Sequence, residues 1–323
     1  MLSLYQIEEA YKRISKFINK TPLINSDKLD KLTKSKIVIK AECLQKTGSF
    51  KIRGAINMIS QIASDKVVAP SSGNHAQGVA AAAKIFNKSA TLVMPEDAPR
   101  SKISGVKFYD GKIVFYDRYK EHRMEIAKAI AKKENSILIP PYDHKEIILG
   151  QGTLGYEVIK QMEEIMFTPD LVLCSCGGGG LISGVATALK SKWDDLDIHP
   201  VEPKNWDDTK LSLLKKERQT INNKKNSICD ALLAETPGKL TFEINRRLLS
   251  KGISVEDSQA LQAIHLAYAW LKLIPEPGGA VALAAALNES ELIKNKNVLI
   301  IISGGNIDKE IFLNSLDTVL PKI

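Results

Sequence analysis

Near the N-terminus, Ile7, Ala10, Ile14, Phe17 and Ile18 recur at helical spacing, behind Ser3 and Gln6 placed as a capping box, and together they predict an opening amphipathic helix. Residues 36–42 alternate apolar and polar as a strand does, and 67–69, 90–94, 112–116 and 136–139 read as further short strands. Residues 170–174 and 297–302 are near-continuous apolar runs, the pattern of strands buried on both faces. Helical periodicity covers about 76–86, 119–133, 154–165, 181–192, 257–273 and 279–288. Strands of this kind separated by helices predict an α/β chain whose mostly parallel sheets are covered by helices. Residues 203–228 lack a clean period and are rich in Lys, Asp and Asn, which fits either a linker between domains or a surface excursion inside one.

A length of 323 residues exceeds the usual size of one domain, so one large or two interlocked domains with real cores are expected, two lobes being favoured. The formal charge of +8 raises nucleic acid as a partner. The lysines are scattered, however, and aromatic residues are only 6%, so no basic run interleaves with stacking rings and no nucleic-acid role is expected. The longest apolar run, Val298 to Ile302, is far shorter than a membrane span, and the first residues lack a basic and then apolar leader pattern. No membrane association and a cytoplasmic location are the expectations. Four dispersed cysteines make no disulfide framework, and Cys174 with Cys176 lacks the second pair or His cluster that a soft-metal site needs.

Two loops and one lysine carry candidate chemistry. After the 67–69 strand, Ser71-Ser72-Gly73-Asn74-His75 leads into an Ala-rich helix whose first amides would attract an anion. After the 170–174 strand, Gly177-Gly178-Gly179-Gly180 lets bare backbone approach a ligand, and a phosphate suits it. Neither G-x-G-x-x-G nor a Walker motif fits that stretch. A phosphate site and a carboxylate site point to a phosphorylated cofactor and an amino-acid-like substrate. Lys51, beside Phe50, is placed to have the lowered basicity that Schiff-base chemistry uses.

The segments GSFKIRGA, SSGNHAQG, CGGGG and ISGGN stand in the order found in fold-type II pyridoxal-phosphate (PLP) enzymes. Within that group the chain resembles the serine/threonine dehydratases and serine racemases, from the opening helix to Asn306. Ser227–Leu233 with Thr236-Pro237-Gly238 is similar to the catabolic threonine and hydroxyaspartate dehydratases. The resemblance implies a tryptophan synthase β-like fold of two three-layer α/β/α domains. A large PLP-binding domain would span 1–65 and 145–323, and a small inserted domain, 66–144, would carry the substrate-carboxylate loop. A homodimer is implied as well.

By the same resemblance, Lys51 holds the cofactor covalently and removes the Cα proton. Phe50 lies against the pyridine ring, although ordinary core packing competes for that residue. Asn74 bonds the ring hydroxyl, Gly177, Gly178, Gly179 and Gly180 cradle the phosphate, and Ser303 faces the pyridine nitrogen. Glu276 matches an acidic position near the cofactor. Ser71, Ser72, Asn74 and His75 form the substrate loop, and Ser72 matches the opposite-face acid-base of the racemases. Arg123 aligns approximately with an arginine that would recognise a second carboxylate. Val201–Asp208 resembles a divalent-cation site, with Glu202, Asp208 and the Trp206 carbonyl as ligands for Mg²⁺ or Ca²⁺; a solvated acidic turn is the competing account. The implied reaction is dehydration of threonine, serine or 3-hydroxyaspartate to a 2-oxo acid and ammonia. A serine or aspartate racemase and a catalytically silent PLP or amino-acid binder are the alternatives.

Overall fold

The computed structural model describes residues 2–71, 73–117, 119–222 and 225–321. Among these residues ten strands form two sheets: β1 (Leu23–Ile24), β2 (Lys36–Ala41), β3 (Lys66–Pro70), β4 (Ser89–Pro95), β5 (Lys112–Tyr116), β6 (Ile137–Leu138), β7 (Leu171–Ser175), β8 (Asp197–Pro203), β9 (Ile253–Val255) and β10 (Asn297–Ile302). A six-stranded sheet runs β1-β2-β10-β7-β8-β9 and is parallel except for the β1 edge. The other runs β5-β4-β3-β6 and is parallel throughout.

Each sheet is the middle of three layers, and strand alternation shows why. In β10, Val298, Ile300 and Ile302 join the core under the Pro277–Asn288 and Asp257–Leu266 helices, while Leu299 and Ile301 face the Lys145–Glu164 and Gly180–Lys190 helices. No face of such a strand meets water, so no polar alternation marks it. In the smaller sheet, Val67, Ala69, Leu92 and Met94 pack on the Asn74–Ile85 helix, and Val68 and Val93 pack on the other side with Ala127. The opening helix runs Leu4–Ile14, and Ser3 and Gln6 form the capping box.

Residues 203–228 do not link domains. The segment carries the short Asp208–Lys215 helix and lies between β8 and β9, which pair as neighbours in one sheet. It is an excursion inside that layer. Among the described residues, no helix is long and apolar enough to cross a membrane.

Candidate active site

A cavity of about 320 Å³ opens beyond the carboxyl ends of β3, β7 and β10, where open parallel sheets place their ligands. Phe50, Lys51, Ser71, Asn74, His75, Arg123, Gly177, Gly178, Gly179, Gly180 and Ser303 all line it.

Lys51 is the first residue of the Lys51–Ile59 helix, and the turn before it is stitched to the end of β10. The Phe50 amide donates to the Ser303 carbonyl at 3.1 Å, and Gly305 donates to the Gly48 carbonyl at 2.8 Å. Gly48 has φ +69°, and a Cβ there would lie 2.4 Å from Asn306 Oδ1, so the turn requires glycine. The helix is held from behind by Arg53, which donates to both oxygens of Glu42 and both of Glu157, every contact at 2.8 or 2.9 Å. All three side chains are buried, and Lys40 adds a second cation on Glu157 at 2.8 Å.

The Lys51 amine donates to the Pro141 carbonyl at 2.8 Å and lies 5.2 Å from the centre of the Phe50 ring. Burial lowers its pKa to about 8, against a smaller opposing pull from Glu276. A neutral amine, the form that attacks an aldehyde or takes a proton, is therefore accessible near neutral pH.

The glycine loop faces this amine across the cavity. Gly179 has φ +93° and would place a Cβ 2.8 Å from Asn245 Nδ2, and a Cβ on Gly178 would fall 2.4 Å from the Tyr142 ring. The loop ends at the first residue of the Gly180–Lys190 helix, whose leading amides and dipole favour an anion. A phosphate bound through backbone N–H groups fits this cradle.

A second helix start enters from the smaller sheet at Asn74, the first residue of its helix. Asn74 Nδ2 donates to Glu276, and its Oδ1 accepts from Asn306 Nδ2 at 2.8 Å. His75 Nε2 lies 3.0 Å from the Ile139 carbonyl, so that nitrogen carries the proton. Burial, and then the charge on Lys51, push His75 down to about 3, which keeps it neutral. Ser71 Oγ accepts from the Gly73 amide at 3.2 Å. Ser72 lies outside the described residues. Ser303 Oγ accepts from Ser175 Oγ at 2.8 Å, a neutral pair suited to an unprotonated ring nitrogen. Arg123, at the first turn of the Arg123–Glu134 helix, lines the rim. Glu276 stands one layer back: it is buried behind Asn74 at the start of the Pro277–Asn288 helix, away from the cavity wall.

Pro141 and Tyr142 escaped the sequence reading, and Asp230 entered it only as part of the Ser227–Leu233 stretch. The Pro141 carbonyl receives Lys51, Tyr142 packs against Gly178 and Gly180, and Asp230 pairs with the buried Lys102. The Pro140-Pro141 pair signals a turn, but nothing local in the sequence signals those partners.

A family model described as pyridoxal-phosphate dependent enzyme matches residues 14–304. The chain belongs to that family. It is 37% identical to a serine racemase of Schizosaccharomyces pombe over 96% of both chains. It is 37% identical to an L-threo-3-hydroxyaspartate ammonia-lyase of Saccharomyces cerevisiae, over 93% of this chain and 92% of that protein. The solved structure of maize serine racemase superposes with a TM-score of 0.90 at 37% identity, covering 97% of this chain and 96% of that one. PLP is the cofactor of this family, and Lys51, the glycine cradle and Ser303 are where its aldehyde, phosphate and ring nitrogen would fit.

Away from the cavity, Glu202 and Asp208 lie together beneath the surface. Glu202 accepts from the Thr209 and Lys210 amides at 2.9 and 2.8 Å, yet neither Asp208 oxygen has a partner among the described residues. Burial raises both carboxyls, Asp208 to about 8, and the Asp208 charge raises Glu202 further. No group of three or more Cys, His, Asp or Glu side chains is poised for a metal among the described residues. Trp206 is fixed by its indole N–H, which donates to the Lys225 carbonyl at 2.7 Å.

Proposed function

We propose that the chain is a PLP-dependent dehydratase that converts a β-hydroxy amino acid to a 2-oxo acid and ammonia. The observation that carries this reading is Lys51, with its lowered basicity, facing an anion-binding glycine loop across one cavity. When bound, the cofactor supplies the electron sink for the pair left at Cα. Lys51 would take the Cα proton, and the substrate's β-hydroxyl would leave as water on receiving one proton in return, so that the dehydration balances. Hydrolysis of the resulting enamine gives the oxo acid and ammonia. Ser71, Ser72, Asn74 and His75 would hold the α-carboxylate at a helix start, where the neutral His75 ring, its one N–H given to Ile139, would contribute shape and its backbone amide. Phe50 would flank the cofactor ring, and Asn74 would bond its hydroxyl through the second N–H of an amide whose first is held by Glu276.

Arg123 has no ion-pair partner among the described residues, which supports recognition of a second carboxylate and hence 3-hydroxyaspartate as a substrate. The two orphaned oxygens of Asp208 beside Glu202 support Mg²⁺ or Ca²⁺ there, with the Trp206 carbonyl as a third ligand. Segment 66–144 is proposed to close on substrate as a unit. Similarity to serine racemases favours racemisation as a second reading, with Ser72 returning the proton on the opposite face.

The test is 2-oxo acid release by holoenzyme from L-threonine, L-serine and L-threo-3-hydroxyaspartate, with chiral analysis of unreacted serine. Turnover of one substrate establishes the dehydratase and names its preference. D-serine without oxo acid establishes the racemase. Neither product refutes both readings and leaves a silent binder. Loss of hydroxyaspartate but not threonine turnover in Arg123→Ala supports the second-carboxylate role, and parallel losses refute it.

A further inference from the structure

Lys102 is a fully enclosed cation that none of the chemistry above employs. It belongs to the Arg100–Phe108 helix, which packs beside the smaller sheet, and its side chain is 1% exposed. Its amine lies 2.8 and 2.7 Å from the two oxygens of Asp230 and 3.0 Å from Glu276 Oε2. Both carboxylates come from segments that pack with the six-stranded sheet: Asp230 from a short turn on the cavity wall, and Glu276 from the start of the Pro277–Asn288 helix. The stem of Lys102 runs behind the substrate loop, since a Cβ on Gly73 would meet Lys102 Cδ at 3.4 Å and Nζ at 3.5 Å.

The other oxygen of Glu276 accepts from Asn74 Nδ2, and Asn74 Oδ1 accepts from Asn306. Lys102 thus stands at one end of a chain, Lys102 to Glu276 to Asn74 to Asn306, that fixes which way the Asn74 amide points. A second strap, Ser101 Oγ to Asp308 at 2.5 Å, joins the same two parts one residue earlier. An amine this enclosed is tolerated only because it is paired on two sides. The contacts form only when the helix beside the smaller sheet meets the far wall of the cavity.

We propose that Lys102 is a positioning residue that holds Gly73 and Asn74, at the start of their helix, in the place where they recognise the substrate carboxylate. The proposal rests on reading their loop as the carboxylate site. Losing Lys102 therefore weakens capture of a carboxylate while leaving cofactor anchorage at Lys51 and the glycine loop intact.

The test uses holoenzyme, the non-eliminating L-alanine, and L-alaninol, which has the same amine but no carboxylate, with equilibrium binding read from the cofactor's absorbance. Wild type should bind L-alanine at least about tenfold more tightly than L-alaninol. Lys102→Met should lose that preference and raise KM for L-threonine, with L-alaninol affinity unchanged, and Lys102→Arg should regain part of it. Lys102→Met/Asp230→Asn, which removes one stranded carboxylate, keeps the test open if the single variant fails to fold, and the preference should stay lost there. Absence of a preference in wild type would refute the loop assignment itself. A preference retained in Lys102→Met, or restored in the double variant, would leave that assignment standing and overturn the role of Lys102.

Discussion

Two glycines of the phosphate cradle are constrained for different reasons. Gly179 combines a left-handed backbone with close approach to Asn245 and Thr241, so a methyl group there brings both φ strain and a clash. Gly178 has a permissive backbone and only the Tyr142 ring in the way. Gly179→Ala should therefore weaken PLP retention by about tenfold or more, the equivalent of about 1.4 kcal/mol, measured by cofactor release on dilution. Gly178→Ala should cost less, because the Tyr142 side chain can swing aside whereas the backbone at Gly179 is also strained. At Lys51 the expectation concerns pH. With burial holding its pKa near 8, the neutral amine becomes the majority form about two units earlier than for an exposed lysine. Cofactor capture by apoenzyme should accelerate as pH rises through about 8, and Lys51→Ala should abolish both covalent capture and ammonia release. Midpoint behaviour near 10 would show that the cavity wets the amine more than its surroundings suggest.

At the scale of elements, the segment between β6 and the Lys145–Glu164 helix does several jobs at once. Pro141 receives Lys51, Tyr142 shields the glycine loop, and Asp143 accepts the amides of Lys239, Leu240 and Thr241, the first turn of the Lys239–Leu248 helix. A carboxylate on those amides is a helix cap supplied from almost a hundred residues away. Asp143→Ala should lower stability by about 1–2 kcal/mol, read by denaturant unfolding. It should also weaken PLP binding, because Gly178 accepts from Thr241 Oγ1 and the Gly238 amide. Asp143→Asn should lose less, since the amide oxygen still caps. This cap also marks where sequence reading stops. Strands buried on both faces, such as β7 and β10, were legible because their residues need no alternation, and the opening helix because its cap is local. Strand β8 was missed because His199, Pro200 and Pro203 break the apolar run, although its neighbours β7 and β9 complete the sheet. Lys51 and the glycines were visible through their motifs. Asp143 and Lys102 were not, because their significance lies in partners remote in sequence: 96 residues away for Asp143, and 128 and 174 away for Lys102.

For the whole molecule, the pair Glu202 and Asp208 ties stability to pH. Both carboxyls are raised in the folded state by burial, Asp208 to about 8, against an ordinary unfolded value near 4. Between those limits the native state binds more protons than the unfolded chain, so stability of the cation-free protein falls as pH rises from about 4 to about 8. Their contribution is fully present below the unfolded pKa and is lost as pH climbs through the folded one. A divalent cation held there, as proposed, would compete with those protons for the ionised pair and add stability in proportion to RT ln(1 + [cation]/Kd). Mg²⁺ or Ca²⁺ should thus raise Tm strongly at pH 8 and weakly at pH 5, and chelation should reverse the gain. Asp208→Asn should remove the gain at both values while raising cation-free stability at pH 8, because it deletes a charge that the fold leaves without a partner. Equal gains at pH 5 and 8, or a gain that survives Asp208→Asn, would place cation binding elsewhere on the molecule and leave the pair as a buried proton-binding site.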